Sequence, residues 1–178
     1  MTTEFETKIL DIDVEKIMQK LEQLGARRII ERNMKRYVYD FTPKKKHSWI
    51  RLRFDGEKTK LAVKEIQNDQ IDGTKEIEIE VDDFDKTHLL LHSIGYVHKA
   101  YQENKRISYM LDDVEIEIDF WPHIPPYLEI EGKSVKDVEQ MVQKLGFEMS
   151  QTTTMNTKKV YEKHGIDVFS FNELKFEE

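Results

Sequence analysis

Cysteine is absent from the 178 residues of this sequence. Its absence excludes disulfide bridges, thiolate metal sites and cysteine nucleophiles, and it is typical of a cytoplasmic protein. No apolar run approaches the roughly eighteen residues that a membrane-spanning helix needs, so we expect no membrane partner. Linkers and low-complexity stretches are also missing, so we expect one domain over residues 1–178.

Positively charged residues are fewer than negatively charged ones, with 28 lysines and arginines against 35 aspartates and glutamates. The net charge of −7 argues against nucleic acid as a partner, since nucleic-acid-binding domains carry a basic surface. Basic residues are nevertheless concentrated in "PKKKHSWIRLR" at positions 43–53. A few focused cations of this kind can hold a small anionic ligand inside an acidic protein.

A threefold repeat organises the chain. Residues 4–25, 76–95 and 129–146 each contain a strand of alternating charge, a turn, an amphipathic segment and a final glycine. Asp13 and Ser134 stand where a side-chain oxygen caps a helix N-terminus, and Gly25, Gly95 and Gly146 stand where each helix ends. Further strand-like runs separate the repeats. The pattern predicts an α+β fold of about eight largely antiparallel strands with helices inserted.

Charged and apolar residues alternate along the predicted strands, which places the charges on one face. Two interpretations stay open. An open sheet would bury its apolar face under helices and expose the charges to water. A sheet closed into a barrel would instead gather carboxylates and cations in a polar lumen. In that lumen the carboxylates favour Mg²⁺ or Mn²⁺, and the arginines and lysines favour phosphate oxygens.

A set of short motifs links the chain to a known family. "EFETK" at positions 4–8 matches an ExExK signature, and it is followed by "IRLR", "LAVKE", "EIEIEV", "NKRISY", "YLEIEG" and "SFNEL". In these motifs and their order, over nearly its whole length, the chain resembles the CYTH superfamily, the triphosphate tunnel metalloenzymes. That family includes class IV adenylyl cyclases, thiamine triphosphatases and inorganic triphosphatases. The resemblance implies an eight-stranded antiparallel β-barrel, the triphosphate tunnel, with helices packed outside.

The resemblance also implies a small-molecule triphosphate substrate, Mg²⁺ or Mn²⁺ as cofactor, and a homodimer as one option, since family members are often dimers. Matched position by position, it assigns metal binding to Glu4, Glu6, Asp119, Glu129 and Glu131. It assigns phosphate binding to Lys8, Arg51, Arg53, Lys64 and Arg106. Catalytic roles fall to Lys8, which would position the attacking group, and to Glu78, which would orient water. Glu76, Glu78 and Glu80 form a second acidic set, for a second metal or to hold the basic residues.

Three positions depart from the family pattern. Arg36 stands where the family often has an acidic residue, Asn104 where a second cation is expected, and Phe171 where a tyrosine is usual. The resemblance therefore leaves the substrate open. Hydrolysis of a triphosphate is the leading prediction, and formation of cyclic AMP and diphosphate from ATP by a class IV adenylyl cyclase is the alternative. A triphosphate-binding module without turnover is the third hypothesis.

Large aromatic residues are expected in the core, because most are buried in folded proteins. Trp49 and Trp121 are therefore predicted to pack against helices. Residues 154–178 contain a short helical segment and a final apolar run, and we expect them to cover one mouth of the tunnel.

Overall fold

The computed structural model describes residues 1–177, so Glu178, the last residue of the predicted domain, lies outside the described residues. The strands β1 to β9 are, in order, Thr2–Ile9, Arg27–Tyr39, Ser48–Phe54, Thr59–Ile66, Thr74–Val81, His98–Leu111, Val114–Phe120, Tyr127–Gly132 and Glu173–Leu174. The helices α1 to α4 are Val14–Gln23, Phe84–Ser93, Val135–Lys144 and Thr157–Lys163. Among the described residues, every helix is too short or too polar to cross a membrane.

Eight strands close into a barrel, in the order β2-β3-β4-β5-β1-β8-β7-β6, and the pairing of β6 with β2 completes the ring. All neighbouring pairs in this ring are antiparallel. The predicted eight-stranded antiparallel barrel with helices outside is thus confirmed. The short strand β9 is an addition that the sequence pattern did not predict, and it pairs in parallel with β6 at Tyr101 and Gln102.

The three sequence repeats each form a strand followed by a capped helix. The side chains of Asp13, Asp83 and Ser134 accept hydrogen bonds from backbone amides in the first turns of α1, α2 and α3. The glycine after each helix has a positive φ, which is +97° at Gly95, so that it can end the helix without the strain of a side chain. The caps predicted at Asp13 and Ser134 and the three predicted glycine stops are therefore confirmed, and Asp83 is a further cap.

The hydrophobic core lies outside the barrel wall, between the strands and the helices. Ile116, Ile118 and Ile130 face outward from β7 and β8 and are completely buried in one cluster with Leu21 of α1 and Val138 of α3. Burying one such side chain contributes about 1.5–3 kcal/mol, so this layer fixes which face of each strand turns outward. The charged faces consequently turn into the barrel, and the open sheet with its charges in bulk water is wrong.

The C-terminal segment closes one end of the barrel. Thr153 exchanges backbone hydrogen bonds with Lys8 at the end of β1. From α4, the hydroxyl of Tyr161 donates to the carbonyl of Pro122 at 2.7 Å, and its ring meets Trp121 edge-on. The side chains of this segment pack with the residues that link β7 to β8. As predicted from the sequence, the segment covers one mouth of the tunnel.

Candidate functional site

A cavity of about 410 Å³ lies inside the barrel. This volume suits a small-molecule ligand. All eight barrel strands line it with alternate residues, as the alternation of side chains along a strand requires. Most of the lining side chains are charged, so the cavity is built for a highly charged ligand and not for an apolar one.

The residues singled out from the sequence converge on this cavity. Its lining includes all eleven of them: Glu4, Glu6, Lys8, Arg51, Arg53, Lys64, Glu78, Arg106, Asp119, Glu129 and Glu131. Of the second acidic set, Glu76 also lines the cavity, whereas Glu80 is exposed and pairs with Lys58 at the end of the β3–β4 hairpin. The roles assigned to the eleven residues stay predictions.

A carboxylate cluster lies on the adjacent strands β1, β8 and β7. Glu131 is the cross-strand neighbour of Glu6 on one side and of Glu115 on the other. Lys8 stands inside this cluster, with its ammonium nitrogen 3.1 Å from Glu6 Oε1 and 2.9 Å from Glu129 Oε2. The cluster comprises Glu4, Glu6, Glu115, Glu117, Glu129 and Glu131.

The ion pair between Lys8 and Glu129 holds both groups in their charged forms. Burial alone would lower the pKa of Lys8, but the charges of Glu129 and Glu6 outweigh it and leave the pKa well above its usual value. Burial alone would raise the pKa of Glu129, but the charges of Lys8 and Arg106 lower it. Lys8 is therefore a permanent cation at neutral pH.

Three other carboxyls of the cluster have raised pKa values. Burial and the adjacent Glu76 carboxyl raise the pKa of Glu4 to about 8. Burial raises the pKa of Glu117 to about 7, and burial together with the charge of Glu129 raises the pKa of Glu131 to about 7. A hard divalent cation would relieve this crowding, because it binds carboxylate oxygens in their ionised form.

The carboxylates do not form a finished metal site, since among residues 1–177 no three carboxylate, imidazole or thiolate groups are grouped around one point. Lysine ammonium groups occupy the positions between them. Lys64 Nζ lies 2.9 Å from Glu4 Oε2, and Lys8 bridges Glu6 and Glu129. The donor atoms fit a hard cation in their chemistry, and binding one would require the carboxylates to turn from the lysines toward it.

The raised pKa values predict that the metal-free protein loses stability as the pH rises. A carboxyl whose pKa is raised by folding stabilises the folded state fully below its unfolded pKa, and this contribution is lost as the pH rises through the folded value. Glu4, Glu117 and Glu131 therefore place the loss between their usual pKa of about 4.5 and about pH 8. Mg²⁺ should raise the melting temperature more at the higher pH, because it binds the ionised carboxylates.

Thermal unfolding in EDTA and in Mg²⁺, measured across that pH range, checks this expectation. A melting temperature that does not fall with pH in EDTA would contradict the pKa assignment. Equal effects of Mg²⁺ at both ends of the range would contradict metal binding by these carboxyls.

An arginine cluster faces the carboxylates from the other side of the ring, on β2, β3 and β6. It consists of Arg36, Arg51, Arg53 and Arg106. The second acidic set holds its β3 members, since Arg51 Nη2 donates to Glu76 at 2.8 Å and to Glu78 at 3.0 Å, and Arg53 Nη2 donates to Glu78 at 3.3 Å. Burial and repulsion from the other arginines lower the pKa of Arg53 to about 10.

Four arginines in the cavity carry an Nε–H group that has no partner. The Nε atoms of Arg32, Arg36, Arg51 and Arg53 are buried and make no hydrogen bond within the described residues. Buried polar groups in folded proteins are nearly always paired, so these donors are unsatisfied in the ligand-free protein. Guanidinium groups match the oxygens of phosphate, so the arrangement is suited to a phosphate-bearing anion.

Sequence reasoning left several lining residues without a role. Lys60, Glu115 and Glu117 line the cavity, and each is in phase with a predicted site residue on its own strand, which was the available signal. The prediction that Trp49 packs against helices is wrong, because Trp49 lines the cavity in phase with Arg51. Trp121 is buried in the cluster that includes residues of α4, as predicted.

Solved structures with the same fold come from distant organisms. A candidate adenylate cyclase from Vibrio parahaemolyticus is 13% identical, with a TM-score of 0.77 over 90% of this chain and 98% of that one. The PH1012 protein from Pyrococcus horikoshii OT3 is 20% identical, with a TM-score of 0.75 over 86% of this chain and 96% of that one. HpAC1 from Hippeastrum, a candidate adenylyl cyclase with a dominant triphosphatase activity, is 14% identical, with a TM-score of 0.63 over 93% and 96%.

These identities are low enough that the likenesses establish the fold alone. No curated protein sequence matches the chain. The family model of the CYTH domain, in contrast, matches residues 2–160. Because this match extends over most of the sequence and ends within α4, the chain belongs to the CYTH family.

Proposed function

We propose that the protein is a divalent-metal-dependent enzyme that hydrolyses the triphosphate group of tripolyphosphate or of a nucleoside or thiamine triphosphate. The observation that carries the proposal is the arginine cluster that lines the same cavity as a crowded carboxylate cluster. A phosphate chain would neutralise the arginines, and a divalent cation would join it to the carboxylates. CYTH membership supports both the substrate class and the metal dependence.

The phosphate chain would be bound mainly by cations that the protein has already positioned. Arg51, Arg53, Lys64 and Arg106 are the proposed phosphate-binding residues, and each is anchored by at least one carboxylate within 3.3 Å. Anchored arginines lose little conformational freedom when a ligand arrives, and charge-assisted hydrogen bonds to phosphate are stronger than neutral ones. Phosphoryl transfer depends largely on such positioning and charge neutralisation.

The metal would be held by Glu4, Glu6, Glu129 and Glu131, whose carboxylates share one region of the lumen on β1 and β8. When bound, Mg²⁺ or Mn²⁺ would neutralise phosphate charge and polarise the phosphorus–oxygen bonds. Asp119 is the fifth proposed ligand, although both of its oxygens already accept hydrogen bonds from Arg106, at 2.8 and 2.6 Å. Those contacts support a role in holding Arg106.

Lys8 and Glu78 are the proposed catalytic residues, and their environments favour different tasks. The raised pKa of Lys8 keeps it protonated, so it would donate hydrogen bonds to a phosphate oxygen or to the attacking group, and it would not act as a base. Glu78 is in contact with Lys60, Arg51 and Arg53. Burial alone would raise the pKa of Glu78, but these cations lower it. An ionised carboxylate with these contacts is best suited to positioning the arginines.

Adenylyl cyclase activity is the second candidate, and one observation favours it. Trp49 and Phe169 line the cavity near its covered end, where an aromatic base of a nucleotide could stack. The candidate adenylate cyclases of the same fold point in this direction, whereas the dominant triphosphatase activity of HpAC1 points to hydrolysis. Binding without turnover is the third candidate.

Product analysis by ³¹P NMR separates the three. With Mg²⁺ or Mn²⁺, we expect tripolyphosphate or an organic triphosphate to give phosphate or diphosphate, and no turnover in EDTA. Formation of cyclic AMP and diphosphate from ATP would show that the protein is an adenylyl cyclase and would overturn the hydrolase proposal. Turnover that continues in EDTA would contradict the metal dependence. Metal-dependent binding of these triphosphates without any product would support the third candidate, a binding module without turnover.

A further inference from the structure

One cation in the cavity differs from all the others in having no counter-ion. A carboxylate oxygen of the described residues lies within 4.0 Å of every lysine and arginine of the lining except Arg36. These paired cations include Lys8, Lys64, Arg53 and Arg106. Within the part of the chain that the structure describes, Arg36 has none, although only 8% of it is exposed. A buried charge without a counter-ion is costly, so its presence calls for an explanation.

The surroundings of Arg36 increase this cost. It lies on β2, directly opposite Arg53 of β3 in the strand register, and it completes the four-residue arginine cluster. Burial and the charges of Arg51, Arg53 and Arg106 lower the pKa of Arg36 to about 9. The charge of Asp119 opposes this effect without outweighing it, so the unliganded protein holds this guanidinium mainly among like charges.

Two contacts nevertheless fix the side chain in place. Its guanidinium carbon lies 4.6 Å from the ring centre of Trp121, over the face of the indole. One terminal nitrogen donates to Asn104 Oδ1, and Asn104 in turn donates to Asp119 Oδ1 at 3.3 Å. The Nε–H of Arg36 is buried and has no hydrogen-bond partner among the described residues. The side chain is thus positioned by neutral groups while its charge stays available.

We propose that Arg36 is a substrate-binding residue of this chain, and that a phosphate group of the bound triphosphate is its counter-ion. The inference rests on the proposed function. Arg53 of β3 lies directly opposite Arg36, on a strand about 4.8 Å away, so one phosphate group can be shared by the two. Arg106 of β6 lies opposite Arg32, four residues from Arg36 along β2.

The expected result distinguishes ligand binding from a structural role. Arg36→Gln should weaken the binding of an imido-bridged tripolyphosphate, which resists hydrolysis, by roughly 10- to 100-fold in Mg²⁺. It should leave the melting temperature of the ligand-free protein unchanged or raise it, because an uncompensated buried charge is removed. A residue that merely held the fold together would show the reverse, a lower melting temperature and an unchanged affinity.

The experiment is a calorimetric titration and a thermal scan in buffer without phosphate or sulfate. Arg28→Gln is the matched control, since Arg28 lies on the same strand but is exposed and pairs with Glu31 at 2.7 Å. Arg36→Met is the second variant, which removes the charge and keeps an apolar stem. Affinity within twofold of the wild type in either variant, or failure of both to fold, overturns the proposal. Absence of binding by the wild type would instead overturn the proposed function.

Discussion

Replacing Glu6 by glutamine is expected to lower kcat/KM for the triphosphate by at least about 10³-fold, because it removes a proposed carboxylate ligand of the proposed divalent cation. The folded protein should tolerate the change. Glu6 is a hydrogen-bond acceptor for Lys8, and the amide oxygen of glutamine can take over that bond. Lys8 also keeps its second carboxylate, Glu129, at 2.9 Å. The loss of unfolding free energy should therefore stay below about 1 kcal/mol.

Glu80→Gln is the matched control for this experiment. Glu80 lies on a barrel strand in phase with the lumen residues Glu76 and Glu78, but its side chain is exposed and pairs with Lys58. Its replacement should leave turnover within twofold of the wild type. Steady-state kinetics at several Mg²⁺ concentrations and a urea unfolding curve measure both quantities. Substantial activity in Glu6→Gln at saturating Mg²⁺ would refute the proposed metal site.

The residues that line the cavity could be predicted from the alternation of side chains along each strand. Side chains of a strand alternate between two faces, so Glu4, Glu6 and Lys8 had to share one face whatever the fold. The apolar residues between the charges identified the opposite face as the one that packs under helices. This local rule, together with the family motifs, was sufficient to select residues from seven strands that the structure brings into a single cavity.

The closure of the ring could not be read from local pattern. It depends on the pairing of β2 with β6, which joins residues 27–39 to residues 98–110. Nothing in either strand specifies the other as its partner, and such long-range pairing is decided by the packing of the whole chain. The two-residue strand β9 is likewise set by tertiary contacts, because it is too short to carry a periodic signal.

The balance of charges in the lumen was the least predictable feature. Whether a cation has a counter-ion depends on register, and register places Lys8 beside Glu129 but Arg36 beside Arg53. From sequence, Arg36 was only a departure from a family pattern. Trp49 was assigned to the core because large aromatic residues are usually buried, although its phase with Arg51 places it in the lumen.

Replacing Arg106 by methionine is expected to destabilise the protein by about 3–5 kcal/mol, because it leaves buried carboxylates without this counter-ion. Arg106 binds Asp119 through two hydrogen bonds, lies 3.0 Å from Glu129 and also pairs with Glu117. Burial alone would lower the pKa of Arg106, but these three carboxylates raise it well above its usual value. The same variant should lose triphosphate binding, since a member of the arginine cluster is gone.

The pH dependence of Arg106→Met provides the sharper test. Without the arginine, the folded-state pKa values of Glu117 and Glu129 should rise, so the folded variant binds more protons than the wild-type fold does. Its stability deficit should therefore shrink as the pH falls from about 8 to about 5. Urea unfolding at both pH values measures this change, with the surface variant Arg28→Met as control. A deficit below about 1 kcal/mol, or one that does not change with pH, would mean that Glu117 and Glu129 do not depend on Arg106 for their charge.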